Sequence, residues 1–380
     1  MKKLFFLFCV IIACASTNAN ADDLVSAKSA ILIENDTGKV LYELNADEPL
    51  APASMTKMMT LLLTMEAIEN KTIKLNDYVQ VSKEAESMGG SQVYLKENEK
   101  YKLTDIIRSV CIASANDGAV VLAETIGGTK ENFVKMMNEK AKELNLKNTH
   151  FSNSYGLDEK THKSSARDMA IIARELISHP LILKYSKTYE SHLKREDGTS
   201  LWMVNTNKLV RYYEGVDGLK TGYTKDAGYC LAATGVWNKL RLISIVMGED
   251  SSEVRNKDTI ALLNYGRRNF KLKKIIDKNK NLGCAKIDLG KKECTNAYLK
   301  ENVSKLLKIN EKENNYYYKV KLKKRVAPVK KGDVVGFLKI YENEKLVEKK
   351  KLYSKENIDK IKFKEALFRI FKMTISGVKP

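Results

Sequence analysis

The chain has 380 residues, more than one ordinary domain needs, and a formal net charge of +19. The charge is not spread evenly: residues 22–270 hold 33 Lys and Arg against 34 Asp and Glu, while residues 271–380 hold 31 against 13. No nucleic-acid motif accompanies the basic third, so an anionic surface such as a membrane leaflet is its expected partner, and no nucleic acid.

Residues 1–21 read as a signal peptide. Lys2 and Lys3 form a charged start, Leu4 to Ala15 an apolar stretch, and Ala19-Asn20-Ala21 a small-residue cleavage site. The expected location is therefore outside the cytoplasmic membrane, on its periplasmic side. No later segment reaches the ~20 apolar residues of a spanning helix. Of the remaining cysteines, Cys111 and Cys230 lie in apolar runs as small core residues. Cys284 and Cys294 are ten apart in a polar stretch, compatible with a disulfide or with two free thiols. No Cys/His cluster has metal spacing, and no cofactor is expected.

In chain order, Ser29–Glu34 and Lys39–Glu43 read as two strands joined by the turn Asn35-Asp36-Thr37-Gly38. A long apolar run from Met55 to Met65 follows as a helix, with Ser54 at its first turn and Lys57 among methionines. Helical spacing recurs over residues 104–113, 118–124, 130–144 and 166–178, the last stopped by Pro180. Strand patterns return at Tyr229–Trp237 and Arg241–Met247 around Asn238-Lys239, and residues 253–270 close the region as a helix. Strands from both ends with helices between them predict an α/β (α+β) domain on a mostly antiparallel sheet. After Phe270 short β segments at 316–322, 334–341 and 345–353 predict a small all-β domain. Residues 355–380 then form an amphipathic end: Phe363, Ala366, Leu367, Ile370, Phe371 and Thr374 share one helical stripe, with Lys362, Glu365, Arg369 and Lys372 opposite. Large apolar residues against a basic face predict an in-plane membrane anchor. The expected division is thus 1–21, 22–270, 271–354 and 355–380.

Ser54 and Lys57 are spaced to share one helix face, and an amine in apolar surroundings loses its proton easily, so the pair can form an activated nucleophile. Alone the spacing is weak. Two further elements follow in order: Ser114-Ala115-Asn116 between two helical runs, and Lys220-Thr221-Gly222 on a strand. S-x-x-K, S-D-N and K-T-G are the joint signature of penicillin-binding proteins and class A β-lactamases, and the chain departs from it only in the middle motif, S-A-N.

With these motifs, and with "NADEPLAPASMTKMMT", "IASANDGAVVLAE", "NTNKLV", "GVDGLKTGYTKDAGYCLAATG" and "LRLISIVMG" in family order, the chain resembles the low-molecular-mass penicillin-binding proteins that are serine-type D-alanyl-D-alanine carboxypeptidases. The resemblance runs from about Ala27 to Phe270 and continues more loosely to the end. It implies that Ser54 attacks the bond between two D-alanines of a peptidoglycan stem peptide, that Lys57 takes its proton, and that Ser114 relays a proton to the leaving amine. The backbone N–H groups of Ser54 and Tyr223 would form the oxyanion hole. Asn116, Lys220, Thr221 and Gly222 would hold the substrate, and Arg241 would pair with its terminal carboxylate. β-Lactams would acylate the same serine. The middle motif is S-A-N, which fits the carboxypeptidases better than the β-lactamases, and Tyr223 stands where some members carry histidine. D,D-endopeptidase, transpeptidase and β-lactamase remain as alternatives using the same acylation. His162 is expected to be structural or rim-lining.

Overall fold

Ser29–Glu34 (β1) is buried along its whole length, and its side chains divide by parity between two apolar layers. In the computed structural model, which describes residues 24–195 and 197–375, β1 pairs antiparallel with Val40–Leu44 (β2) through the expected turn. The expected signal peptide lies outside the described residues. Val216–Thr224 (β3), Gly228–Trp237 (β4) and Leu240–Glu249 (β5) complete an antiparallel sheet of order β2-β1-β5-β4-β3. Asn238 and Lys239, both at positive φ, make the β4–β5 connection, as a twist-matched two-residue hairpin requires. The order leaves β3 at a free sheet edge.

Helices pack on both faces of this sheet. Lys57–Glu69 (α1) is entered through a tight 3-10 turn at Ala53–Thr56. Leu103–Ile112 (α2), Asn116–Gly127 (α3), Lys130–Glu143 (α4) and Ala166–Ile177 (α5) follow, and Ser252–Asn269 (α7) closes the domain. The hydroxyls of Thr129, Ser165 and Ser251 accept hydrogen bonds from the third amides of α4, α5 and α7, which fixes where those helices start. Pro180 does more than stop α5: it is the first residue of a further helix, Pro180–Ser186 (α6), where its missing N–H costs nothing. Ile31, Ala232, Ile243 and Ile245 face the layer built by α1 to α5. Leu32, Leu231, Ala233 and Leu242 face α7 through Leu262 and Leu263. α1 is buried nearly all round, which explains its unbroken apolar sequence.

Phe270–Ile276 (β6) leaves α7 directly and begins the second unit. Its main sheet contains Cys284–Asp288 (β7), Cys294–Tyr298 (β8), Tyr316–Leu322 (β10), Arg325–Val326 (β11), Val334–Glu342 (β12) and Lys345–Ser354 (β13), in the order β10-β12-β13-β8-β7-β11. β6 pairs separately with Val303–Lys308 (β9). Cys284 and Cys294 form a disulfide across the β7–β8 hairpin. Phe270, Leu272 and Leu306 pack into the layer beneath α7, and Ser304 Oγ donates to Asp36 at 3.1 Å, so the units touch at the back of the sheet.

The terminal segment differs from expectation at its start. Residues 355–362 are strapped to the small domain: Ile358 is buried and pairs with Val329, and Lys360 bridges Gly290. The amphipathic helix is Phe363–Ile375 (α8). Arg369 turns its guanidinium back to the carbonyls of Gly290 and Lys291, at 3.0 and 2.9 Å, while Phe363, Leu367, Phe368 and Phe371 stand exposed.

A buried carboxyl pair gives the fold a pH dependence. Glu249 ends β5 beside Asp258 of α7. Burial first, then the hydrogen bond and charge of Asp258, push the Glu249 carboxyl up from 4.5 to about 8. The folded protein therefore keeps a proton that the unfolded chain releases near 4.5, and this contribution to stability falls as pH rises from there through about 8. Glu249→Gln, which cannot ionise, is expected to flatten that part of the thermal-stability profile measured between pH 5 and 9. Parallel profiles for the two proteins would remove Glu249 as the cause.

Candidate active site

The turn that presents Ser54 is strained and tightly packed. Ala53 sits at φ +47°, a left-handed conformation that costs a non-glycine residue energy. Gly156, at φ +91°, lies so close that a Cβ there would stand 1.9 Å from the Ala53 carbonyl oxygen. On the other side a Cβ on Gly222 of β3 would be 3.0 Å from the Pro52 carbonyl oxygen and 3.3 Å from the Met55 nitrogen. The edge strand thus presses its backbone against the turn, and glycine at 222 allows that approach.

Lys57 opens α1 and is fully buried. Its Nζ lies 2.8 Å from Ser54 Oγ, 2.6 Å from Asn116 Oδ1 and 2.7 Å from the Tyr155 carbonyl oxygen. Burial, and then the nearby Lys220 ammonium, hold the Lys57 amine well below its usual 10.5, with Asp117 opposing them. Asn116 is fixed in turn: its Nδ2 donates to the Gly89 carbonyl at 2.7 Å. The neighbouring Asp117 carboxylate accepts from the backbone of Val93, Leu95 and Gly118, which ties the 89–95 loop to the start of α3.

Ser114 occupies the α2–α3 connection at φ +61° and is nearly buried. Lys220 Nζ of β3 donates to Ser114 Oγ at 2.7 Å and to the Thr221 carbonyl at 2.8 Å. Burial pushes the Lys220 amine down to about 7. Thr221 Oγ1 donates to Thr206 Oγ1 at 2.7 Å. Tyr223 is exposed at the mouth, its ring 4.3 Å from that of Tyr229. The three motifs, some 170 residues apart along the chain, thereby line one cleft of about 340 Å³ with Ser54, Ser114, Thr221 and Gly222 on its walls.

The structure corrects the expectation for Arg241. Its guanidinium forms a two-pronged pair with the Asp217 carboxylate at 2.9 and 2.8 Å and donates to Thr234 Oγ1 at 3.0 Å. In register it sits beside Val236, at the far end of the sheet from Thr221, which pairs with Leu231. Arg241 is therefore already neutralised and does not line the cleft. Arg255 does. It projects from the first turn of α7, is 6% exposed, and meets Asn256 Oδ1 at 2.9 Å, with no carboxylate within 4.0 Å among the described residues. A buried guanidinium with no ion-pair partner among the described residues is free to meet an anion that enters the cleft. The sequence carries a signal for it only in hindsight: an arginine set inside the first turn of a capped helix.

His162 is buried two residues' reach from the chemistry rather than in it. Its Nδ1 accepts from the Ser152 N–H at 2.9 Å, so its Nε2 carries the proton donated to Thr56 Oγ1 at 2.7 Å. Burial lowers it to about 4, and its two bonds tie the turn that enters α1 to the 150–162 loop.

Comparison with known proteins agrees with this geometry. A family profile described as D-alanyl-D-alanine carboxypeptidase matches residues 15–251, and one for the penicillin-binding protein 5 C-terminal domain matches residues 270–360. The chain is 42% identical over 338 residues to the D-alanyl-D-alanine carboxypeptidase DacF of Bacillus subtilis, covering 89% of this chain and 87% of that protein. The structure of penicillin-binding protein 5 from Haemophilus influenzae superposes with a TM-score of 0.69 at 30% identity, covering 88% of this chain and 98% of that one. Penicillin-binding protein D2 of Listeria monocytogenes, solved in its ampicillin-bound form, superposes with a TM-score of 0.58 at 31% identity, over 64% of this chain and 98% of that one. A serine–lysine pair in a cleft closed by K-T-G, on this fold and with these relatives, makes the chain a member of the serine-type D-alanyl-D-alanine carboxypeptidase family.

Proposed function

We propose that Ser54 is the nucleophile and Lys57 its base, in hydrolysis of the terminal D-Ala-D-Ala bond of peptidoglycan stem pentapeptides. The observation that carries this reading is the coordination of Lys57 Nζ. A neutral amine has two N–H donors and one lone pair; the Asn116 and Tyr155 oxygens take the donors, which leaves the lone pair for the Ser54 hydroxyl. Ser54 Oγ attacks the penultimate D-Ala carbonyl as its proton passes to Lys57. The oxyanion is received by the backbone N–H groups of Ser54 and Tyr223, a contribution commonly worth about 3 kcal/mol. Ser114, held by Lys220, relays that proton from Lys57 to the departing D-Ala amine, which leaves Lys57 neutral again and Ser114 unchanged. Water then enters, gives its proton back through Lys57, and releases the shortened peptide and free Ser54.

Substrate orientation follows from the cleft. β3 is a free edge, so its backbone at Thr221–Gly222 can pair with an extended peptide, and Asn116 lies beside the scissile bond. The terminal carboxylate is read by Arg255 with Thr221, in place of Arg241. A β-lactam presents a carboxylate and a strained amide in the same relation, and would acylate Ser54 likewise.

The same reading extends to location. Residues 22–270 carry the chemistry, the protein is exported to the outer, periplasmic face of the cytoplasmic membrane, and the exposed rings of α8 lie in that membrane beneath the 271–354 domain. No helix among the described residues is long and apolar enough to cross a membrane.

Three measurements test these assignments. Ser54→Ala is expected to abolish both covalent labelling by a fluorescent penicillin and release of D-Ala from a pentapeptide; surviving labelling would move the nucleophile elsewhere. With the wild type, cross-linked product in place of free tetrapeptide, D-Ala leaving in either case, would make the enzyme a transpeptidase. Arg255→Ala should lower kcat/KM for the peptide by about 10–100-fold, the range for losing a hydrogen bond to a charged group, while Arg241→Ala affects stability and spares turnover. The reverse ranking would restore Arg241. Deleting 363–380, which leaves the strap at 355–362 in place, should move the protein from the membrane to the soluble fraction.

A further inference from the structure

One face of the small domain carries a charge arrangement that its own fold does not explain. Lys319 of β10, Lys339 of β12 and Lys349 of β13 stand directly opposite one another across three adjacent strands. The next rung sets Lys321 and Lys351 on either side of Phe337. Strand spacing puts neighbouring members of a rung about 5 Å apart, and like charges so placed destabilise a sheet. None of these lysines, nor Lys323 beside them, has a carboxylate within 4.0 Å among the described residues. The acidic side chains of the same strands alternate onto the other face, Glu348 against Lys350 at 3.0 Å and Glu342 against Asn314 at 2.7 Å.

Three of the ammonium groups also lie over aromatic rings. Lys319 Nζ lies 5.8 and 5.4 Å from the centres of the Tyr317 and Tyr341 rings, which stack on each other at 4.9 Å. Lys349 and Lys323 cover Phe337 at 4.2 and 4.9 Å. The rings sit half-buried on the outer side while Leu338 and Ile340, which alternate with them, fill the core. The result is one sheet face on which six lysines are interleaved with three aromatic rings. A single small anion calls for a converging pocket, whereas a sheet face of cations with rings between them matches a plane of phosphates over an apolar layer.

We infer that this face, Tyr317 to Lys323 with Phe337, Lys339, Tyr341, Lys349 and Lys351, docks on the anionic phospholipid headgroups of the membrane. It rests on the membrane reading given above, and adds a second contact that acts through charge where α8 acts through apolar burial. The two are joined by a short strap: β13 ends at Ser354, three residues beyond Lys351, and α8 begins at Phe363. Lipid phosphates would relieve the lysine–lysine repulsion, so the membrane-bound domain is the relaxed one. Holding the small domain by its sheet as well as by its tail would fix the direction in which the cleft opens.

The test compares full-length protein with the variant K319Q/K339Q/K349Q, by sedimentation with vesicles of phosphatidylcholine alone and of phosphatidylcholine with phosphatidylglycerol, two to one. At about fivefold per lysine, the variant should bind the anionic vesicles on the order of 100-fold more weakly at low salt, and the neutral vesicles equally. In solution the variant should melt higher than wild type, because the repulsion is gone, and should release D-Ala from a soluble pentapeptide at the wild-type rate. Equal affinity of both proteins for anionic vesicles overturns the inference. So does a result in which the three lysines govern binding of long-chain inorganic polyphosphate but not of vesicles. A separate variant, F363S/F371S, reports on α8 alone: unchanged binding of neutral vesicles would overturn the helix anchor while the lysine comparison still decides the sheet.

Discussion

The proposed chemistry depends on one buried amine that gives up its proton easily: burial, and then Lys220, hold Lys57 well below its usual 10.5. Lys57 Nζ is surrounded by the Ser54 hydroxyl, the Asn116 carbonyl and a backbone carbonyl, with no carboxylate in contact. Those dipoles would hold an ammonium comfortably. Burial and the second lysine tip the balance the other way, and Lys220 must be near enough to repel without sharing the serine. The two lysines consequently take separate hydroxyls, Ser54 and Ser114.

Holding that arrangement requires backbone the chain would not otherwise adopt. Ala53 and Ser114, one beside each reacting hydroxyl, sit at positive φ, and Gly156 and Gly222 leave no room for a side chain against the Ser54 turn. Strain of this kind costs ~1–3 kcal/mol per residue and persists where surrounding packing over-determines it. Here the surroundings are the all-round burial of α1 and the antiparallel sheet whose free edge, β3, leans on the turn. Asp117 extends the same logic outward, pinning the loop that accepts the Asn116 amide.

The grouping of Ser54, Lys57, Ser114 and Asn116, the residues proposed for catalysis, was legible in the sequence because that chemistry demands fixed spacing: Ser54 and Lys57 one turn apart, Ser114 and Asn116 on one turn. The strand pattern and the primed turn at Asn238-Lys239 were legible for the same local reason. The carboxylate subsite was not. Arg241 and Arg255 are both arginines near a sheet end, and which one reaches the cleft is set by register and by the first turn of α7, neither of which is written in local pattern. Asp217, the residue that neutralises Arg241, reads in sequence only as part of a turn before K-T-G. The Tyr155 carbonyl was invisible because a backbone group carries no residue signature. At the C-terminus the helical stripe was visible from Phe363, but the attachment of residues 355–362 to the small domain was not, because it rests on the non-local bridge of Ile358 to Val329.

The most direct test of the account is the pH dependence of Ser54 acylation by a penicillin, measured on wild type and on Lys57→Arg. A neutral Lys57 predicts an acylation rate that rises with pH to a plateau at a midpoint well below 10.5, as the amine gives up its proton. An arginine stays charged, so the variant should acylate about 100-fold more slowly or worse, with no such rise. Acylation of Lys57→Arg at the wild-type rate, or a wild-type profile that begins to climb only near 10.5, would contradict the claim that burial keeps this lysine a base.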